Sequence, residues 1–159
     1  MRPITLRVAF VVAVLVAVLV PALATGSSTR GGATRTIRTI QQTTAYTSVD
    51  ADHDGTASIG DYSVAQVVHL DPTTGKQIGT GVAICTQVTA DGSLFDCQGS
   101  DVLPGGELRE AGRFTIGTTW HLSILGGSGR YDGASGSVDG TWLDPQLSRS
   151  RDVFTIDTD

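Results

Sequence analysis

Three residue types that favour helices are scarce in this 159-residue chain: Lys76 is its one lysine, Glu107 and Glu110 its only glutamates, and Met1 its one methionine. No stretch beyond residue 24 repeats its apolar positions with a helical period, so a helical fold has no support. Several chemical signatures are also missing. No GxSxG elbow occurs, which leaves hydrolase chemistry without a nucleophile motif. His53, His69 and His121 have no metal-ligand spacing among themselves, against a zinc site. Cationic runs are absent too, and the formal net charge is −5. That balance argues against nucleic acid or an anionic lipid surface as a partner.

Only one long apolar run is present. Arg2 and Arg7 precede an unbroken stretch from Val8 to Val20, followed by Pro21 and the small-residue site Ala22-Leu23-Ala24. This is the three-part plan of a secretory signal peptide over residues 1–24, with cleavage expected after Ala24. The run is shorter than the roughly 20 residues that span a bilayer, and no cysteine follows it for lipidation. The expected product is secreted and extracellular, with no membrane attachment after cleavage. Residues 25–36, rich in Gly, Ser and Thr, read as a flexible linker. Residues 37–159 are then one domain, and in the expected mature chain, residues 25–159, nine basic residues face sixteen acidic ones, for a net charge of −7.

What is abundant is Thr, Ser, Gly and Val, a β composition. Turn signals divide the domain into eight strands, expected over residues 37–49, 62–70, 79–89, 93–99, 106–112, 118–125, 135–143 and 152–157. Asp71-Pro72-Thr73-Thr74-Gly75 is a turn by its chemistry, Pro setting φ and Gly supplying the left-handed position. Short strands between turns indicate an all-β sandwich or barrel. Phe114, Ile116, Thr118, Trp120, Leu122 and Ile124 share one parity, which predicts one buried face. Trp120 and Trp142 are expected to fill a barrel end, with an aromatic or sugar ligand as the alternative.

Cys85 and Cys97 are symmetric about Asp91, and Asp91-Gly92 is a strong turn signal. A three-residue loop over residues 90–92 pairs Thr89 with Ser93 and sets Cys85 opposite Cys97. Cross-strand neighbours lie within disulfide range, and an exported chain permits oxidation. The expected disulfide fixes the register of the hairpin.

From Ser123 the chain reads SILGGSGRYDGASGSVDG. Glycine at this density between strands marks a sharp backbone corner. It lacks the spacing of a Walker loop or of GxGxxG, has no Lys, and no amphipathic helix follows, against a phosphate cradle.

With the strands placed, the order of signals resembles the allene oxide cyclase and dirigent-like superfamily. The matching pieces are Gly60-Asp61 opening a strand, the Gly75–Gly79 turn, a strand carrying Cys85, Leu103–Leu108 (LPGGEL), Gly112, and the ILGGSGRYDGASGSV block. The resemblance covers roughly residues 60–138, and the glycine block is its most specific part. It implies a single antiparallel, calycin-like barrel of eight strands with a mostly apolar cavity. Plant allene oxide cyclases close a fatty-acid epoxide to a cyclopentenone, and dirigent proteins steer phenoxy-radical coupling, neither with a metal or an organic cofactor. Both hold a reactive intermediate in one conformation, so geometry does most of the catalysis. Cys85 falls at the position of a cavity cysteine in the plant cyclases. Their first-strand Glu and Asn have no counterpart in Thr39–Val49, which offers Gln41, Gln42 and Tyr46.

The resemblance thus implies a small apolar intermediate as partner and an isomerase-like cyclisation or coupling. Tyr46, Asp61, Gln66 and His69, on strands expected to line or rim the cavity, are the candidate catalytic residues. A non-catalytic extracellular carrier of lipophiles is the first alternative. The second is a surface module that binds calcium: Asp50-x-Asp52-x-Asp54-Gly55, continuing to Asp61, follows an EF-hand loop. A solvated acidic turn is the simpler reading of those residues, and the cofactor expectation is none. Plant members form dimers or trimers of barrels, which leaves a homo-oligomer open.

Overall fold

Alternation of branched and polar residues over eight segments makes eight antiparallel strands, each hydrogen-bonded to its neighbour in sequence, and the last returns to the first. The computed structural model describes residues 32–117 and 119–158. The signal-peptide expectation therefore lies outside the described residues, as does linker segment 25–31. The strands are β1 (Ala33–Val49), β2 (Tyr62–Leu70), β3 (Gln77–Gln87), β4 (Leu94–Leu103), β5 (Gly106–Thr115), β6 (Thr119–Gly127), β7 (Ser135–Trp142) and β8 (Arg149–Thr158). They form a closed barrel in sequence order. A closed barrel of eight antiparallel strands is the expected fold class.

Closure depends on the length of β1. Its first part, Ala33 to Gln42, pairs with β8 from Thr158 to Arg149, and its second, Ile40 to Val49, pairs with β2. A register shift between Thr43 and Ala45 marks the bend. Ala33–Thr36, expected within the linker, are instead strand, paired with Thr155–Thr158. Further boundaries differ from expectation: β3 lies two residues earlier, at 77–87, and β5 runs on to Thr115. β4 runs on to Leu103 and β8 begins at Arg149, and both extensions carry polar residues, Asp101 and Ser150, at buried positions. Those residues interrupt the apolar alternation by which strands are recognised. Ile116 lies between β5 and β6 and is exposed, so the shared parity of residues 114–124 spans a turn rather than one strand.

The glycine block is the β6–β7 corner. Gly129–Tyr131 form one 3-10 turn, and Gly129 has φ of 67° with its α-carbon against the Gly105–Gly106 backbone. Tyr131 turns inward from this corner and donates its hydroxyl to the Pro104 carbonyl at 2.9 Å. With Leu103, Leu108, Ile124, Val138, Phe154 and Ile156 it seals this end of the barrel.

Cys85 pairs directly with Cys97, their Cα atoms 4.1 Å apart, and the disulfide forms on the inner face of β3 and β4. The bond closes a loop whose ends are 12 residues apart. Loops of that size are stabilised by about 3 kcal/mol. Replacing both cysteines by serine should lower the urea-unfolding free energy by about 3 kcal/mol without opening the barrel. Unchanged stability would show that the β3–β4 ladder alone holds the register.

Candidate functional site

Period-two alternation sends one parity of each strand inward. On β4 these residues are Phe95, Cys97, Gly99, Asp101 and Leu103; on β5 they are Leu108, Glu110, Gly112 and Phe114. Charged residues thus occupy interior positions. Asp101, Glu110 and Asp152 are buried inside the barrel with His69, Thr39 and Ser150. Glycines make the room. A Cβ on Gly81 would collide with the Asp101 carboxylate, and one on Gly99 would press on Glu110 Oε1 at 3.1 Å.

His69 is at the centre of the hydrogen-bonded part. Its Nε2 lies 2.7 Å from Asp101 Oδ1, and its Nδ1 lies 3.2 Å from Thr39 Oγ1. With Nε2–H donated to Asp101, Nδ1 accepts from the Thr39 hydroxyl. The Phe154 ring packs edge-on against the imidazole, centroids 5.7 Å apart. On β8, Ser150 Oγ donates to Asp152 Oδ1 at 2.6 Å. Two carboxyl oxygens, Glu110 Oε2 and Asp152 Oδ2, have no partner among the described residues.

Removal from water controls the acidity of the two carboxyls that carry these oxygens. Burial pushes the Glu110 carboxyl up to about 9, and repulsion from Asp101, hydrogen bonding of the protonated acid to Asp101 and then repulsion from Asp152 add to it. Asp152 is raised to about 7, again chiefly by burial; the Ser150 hydrogen bond and His69 oppose the rise. Glu110 is therefore a neutral acid at pH 7, able to donate a proton from within a water-poor space.

The interior is sealed at one end and open at the other. Thr39, His69, Ser150, Asp152, Val138, Phe154 and Ile156 are wholly inaccessible, whereas Val67, Cys97, Glu110 and Leu122 keep a few per cent of exposure, 8% at Glu110. Because these side chains point inward, that residual exposure is to the interior. Above them Ser63, Ala65, Ala83, Gly99 and Gly112 are small, inward and only half-buried. Gly99 lies directly opposite Glu110, and these small residues leave interior room beside it, a shallow recess. A groove of about 610 Å³ opens separately along Gly112, Arg113, Trp120, His121 and Asp139. Phe95, Phe114, Trp120 and Trp142 surround the open end on the β4–β7 side.

The four sequence candidates do not meet. His69 lies in the buried cluster. Tyr46 is 64% exposed and its hydroxyl accepts a bond from Ser48; Gln66 is also exposed. Asp61 works within the β1–β2 loop, where Oδ1 accepts from Ala51 N–H and Oδ2 from Ser58 N–H. In that loop Asp50, Asp52 and Asp54 bring one oxygen each within 4.8 Å of the others. The carboxylates already serve the loop itself. Asp50 accepts from the N–H groups of His53 and Gly55, and the Gly55 bond leads in holding its acidity below the usual carboxylate range. Asp101, Glu110 and Asp152 were missed by sequence reasoning, although a signal existed. Glu110 shares parity with Leu108 and Phe114, and Asp152 with Phe154 and Ile156, so each is a charge on an apolar face.

A carboxyl raised by burial binds a proton in the folded chain that the unfolded chain releases. Stability from Glu110 is therefore full below its ordinary value of 4.5 and is lost as pH rises toward about 9. Asp152 acts in the same direction up to about 7. Urea midpoints should fall from pH 5 to pH 9, and Glu110→Gln should flatten the upper part of that profile. A wild-type midpoint that stays level over this range would contradict the buried-acid geometry.

No protein-family model matches the sequence, and no curated protein does. Solved structures do share the barrel. Pyocyanin demethylase superposes with a TM-score of 0.65 at 17% identity, covering 77% of this chain and 99% of its own. The Diels Alderase AbmU from Streptomyces koyangensis gives 0.67 at 18% identity, with 82% and 71% coverage. The pterocarpan synthase dirigent protein PsPTS1 gives 0.63 at 14% identity, with 79% and 94% coverage. The chain has the closed eight-stranded barrel fold that these structures share, the dirigent protein among them.

Proposed function

We propose that this barrel takes a small, largely apolar organic molecule into its open end and directs its cyclisation or isomerisation by proton transfer from Glu110. The observation that carries the reading is the buried, unpartnered Glu110 Oε2, inside the barrel opposite Gly99. A buried polar atom without a partner is costly, and ligand chemistry is one reason for a fold to keep one. Glu110 serves as general acid, and the recess walls hold the substrate in a reactive conformation. The His69–Asp101 pair, 2.7 Å apart, fixes the shape of the acid cluster beneath. The similar barrels that are named for a demethylase, a Diels Alderase and a pterocarpan synthase support a cavity that acts on small organic molecules. Export through the expected signal peptide, together with the disulfide, supports an extracellular site of action.

Filling the recess tests the reading without touching the acids. Native mass spectrometry of the protein, after incubation with a lipid-soluble extract of its own culture medium, should show small-molecule adducts. Ala83→Trp should abolish them while leaving the circular dichroism spectrum unchanged. Where an adduct is converted, Glu110→Gln should slow conversion by about 10²–10⁴-fold. Adducts that persist in a folded Ala83→Trp variant would place binding elsewhere and refute the proposal.

A further inference from the structure

Inside the barrel buried acids outnumber buried bases. Asp101, Glu110 and Asp152 are accompanied by His69 alone, and every Lys and Arg among the described residues is exposed. His69 is bonded to Asp101, which leaves the other two acids without a basic partner. An uncompensated carboxylate is expensive in such surroundings. The cluster is therefore stable in two conditions: with protons on the acids, or with a cation lying among them.

Aromatic residues share the acids' inward parity. Phe95 and Phe114 have ring centroids 6.3 Å apart, Phe114 and Trp142 6.2 Å, and Trp142 and Trp120 6.4 Å. All four are inward and half-buried. The face of an aromatic ring attracts a cation, indole most strongly, and the attraction grows as water is excluded. Aromatic faces on the same inward parity as a carboxyl cluster suit a compact organic cation with an apolar body, and the unpartnered Trp120 and Trp142 Nε1–H groups can take an acceptor atom on that body. The arrangement repels an anion, and it leaves the second oxygen of Asp152 unused by a neutral hydrocarbon.

Resting on the small-molecule reading above, we infer that the ligand of this recess is a lipophilic organic cation or weak base, an amine or quaternary ammonium, whose charge sits against Glu110 and Asp152. For a weak base, the Glu110 proton moves to the lone pair of the amine nitrogen, giving an ammonium–carboxylate pair with no change in total charge. For a quaternary cation no lone pair exists, and the displaced proton leaves to solvent. The titratable groups that face Glu110 are Asp101 from β4, Asp152 from β8 and His69 from β2. On the other strands Tyr46 of β1 shares the inward parity at the exposed rim, and Thr39, Ala83, Leu122 and Val138 do not titrate.

Benzyltrimethylammonium and its uncharged carbon isostere neopentylbenzene separate charge from shape. Trp120 and Trp142, the protein's only tryptophans, report on the recess through their fluorescence. The cation should bind with an association constant that rises about 30-fold from pH 7 to pH 8.5, with release of roughly one proton per cation, while the isostere's stays flat. Glu110→Gln should remove both the slope and the proton release. If that variant fails to fold, wild-type proton release in weakly buffered solution decides alone. Binding of the isostere as tightly as the cation at pH 8, or cation binding without proton release, overturns the inference and leaves the small-molecule reading standing. Failure of both probes to bind overturns the two together.

Discussion

Closure of β1 against β8 is the constraint from which the rest follows. Once the ladder from Ala33↔Thr158 to Gln42↔Arg149 is made, alternate residues of every strand face an enclosed space and lose their water. For Leu108, Val138 or Ile156 that loss is the driving force of folding. For Asp101, Glu110 and Asp152 the same geometry is a penalty that the fold has to offset. Asp101 is offset by His69 and, in part, Asp152 by Ser150. Glu110 is offset by keeping its proton. A barrel with open edges would let water reach these groups and return them to ordinary acidity.

The architecture divides the interior by height. At the β6–β7 corner, Tyr131 and the aliphatic residues form a sealed plug. In the middle, inward glycines on β3 and β4 give the Asp101 and Glu110 side chains their space. At the other end small residues on β2 and β3 face aromatic residues on β4–β7, and the inner-face disulfide ties β3 to β4 between them. Binding space, acid chemistry and structural closure thus occupy successive layers of one barrel, which explains why a glycine outside the turns, such as Gly81, is as constrained as one within them.

Much of this was legible in the chain. Asp91-Gly92, with cysteines placed symmetrically about it, determined a hairpin register that the Cys85–Cys97 pairing reproduces. The glycine block identified its corner because turns need positive φ where few other residues tolerate it, as at Gly129. The site was harder to read, for a physical reason. Tyr46 and Gln66 look like cavity residues by type, but strand parity turns Gln66 outward. Tyr46, kept on the inner parity opposite Ala65 by the β1 bulge, lies exposed at the rim; one segment alone reveals neither placement. Asp101 and Ser150 hid the extensions of β4 and β8 because an interior polar residue erases the alternation that marks a strand. Glu110 and Asp152 were visible as charges on apolar parities, a pattern that points to a site only after burial without a partner is known.

The central claim is that Glu110 is a neutral acid inside the barrel at physiological pH. Following its side-chain carboxyl carbon by ¹³C NMR across a pH titration tests this directly. The account predicts a protonated resonance at pH 7 that titrates near 9. Ionisation of Glu110 near its ordinary value of 4.5 would contradict it.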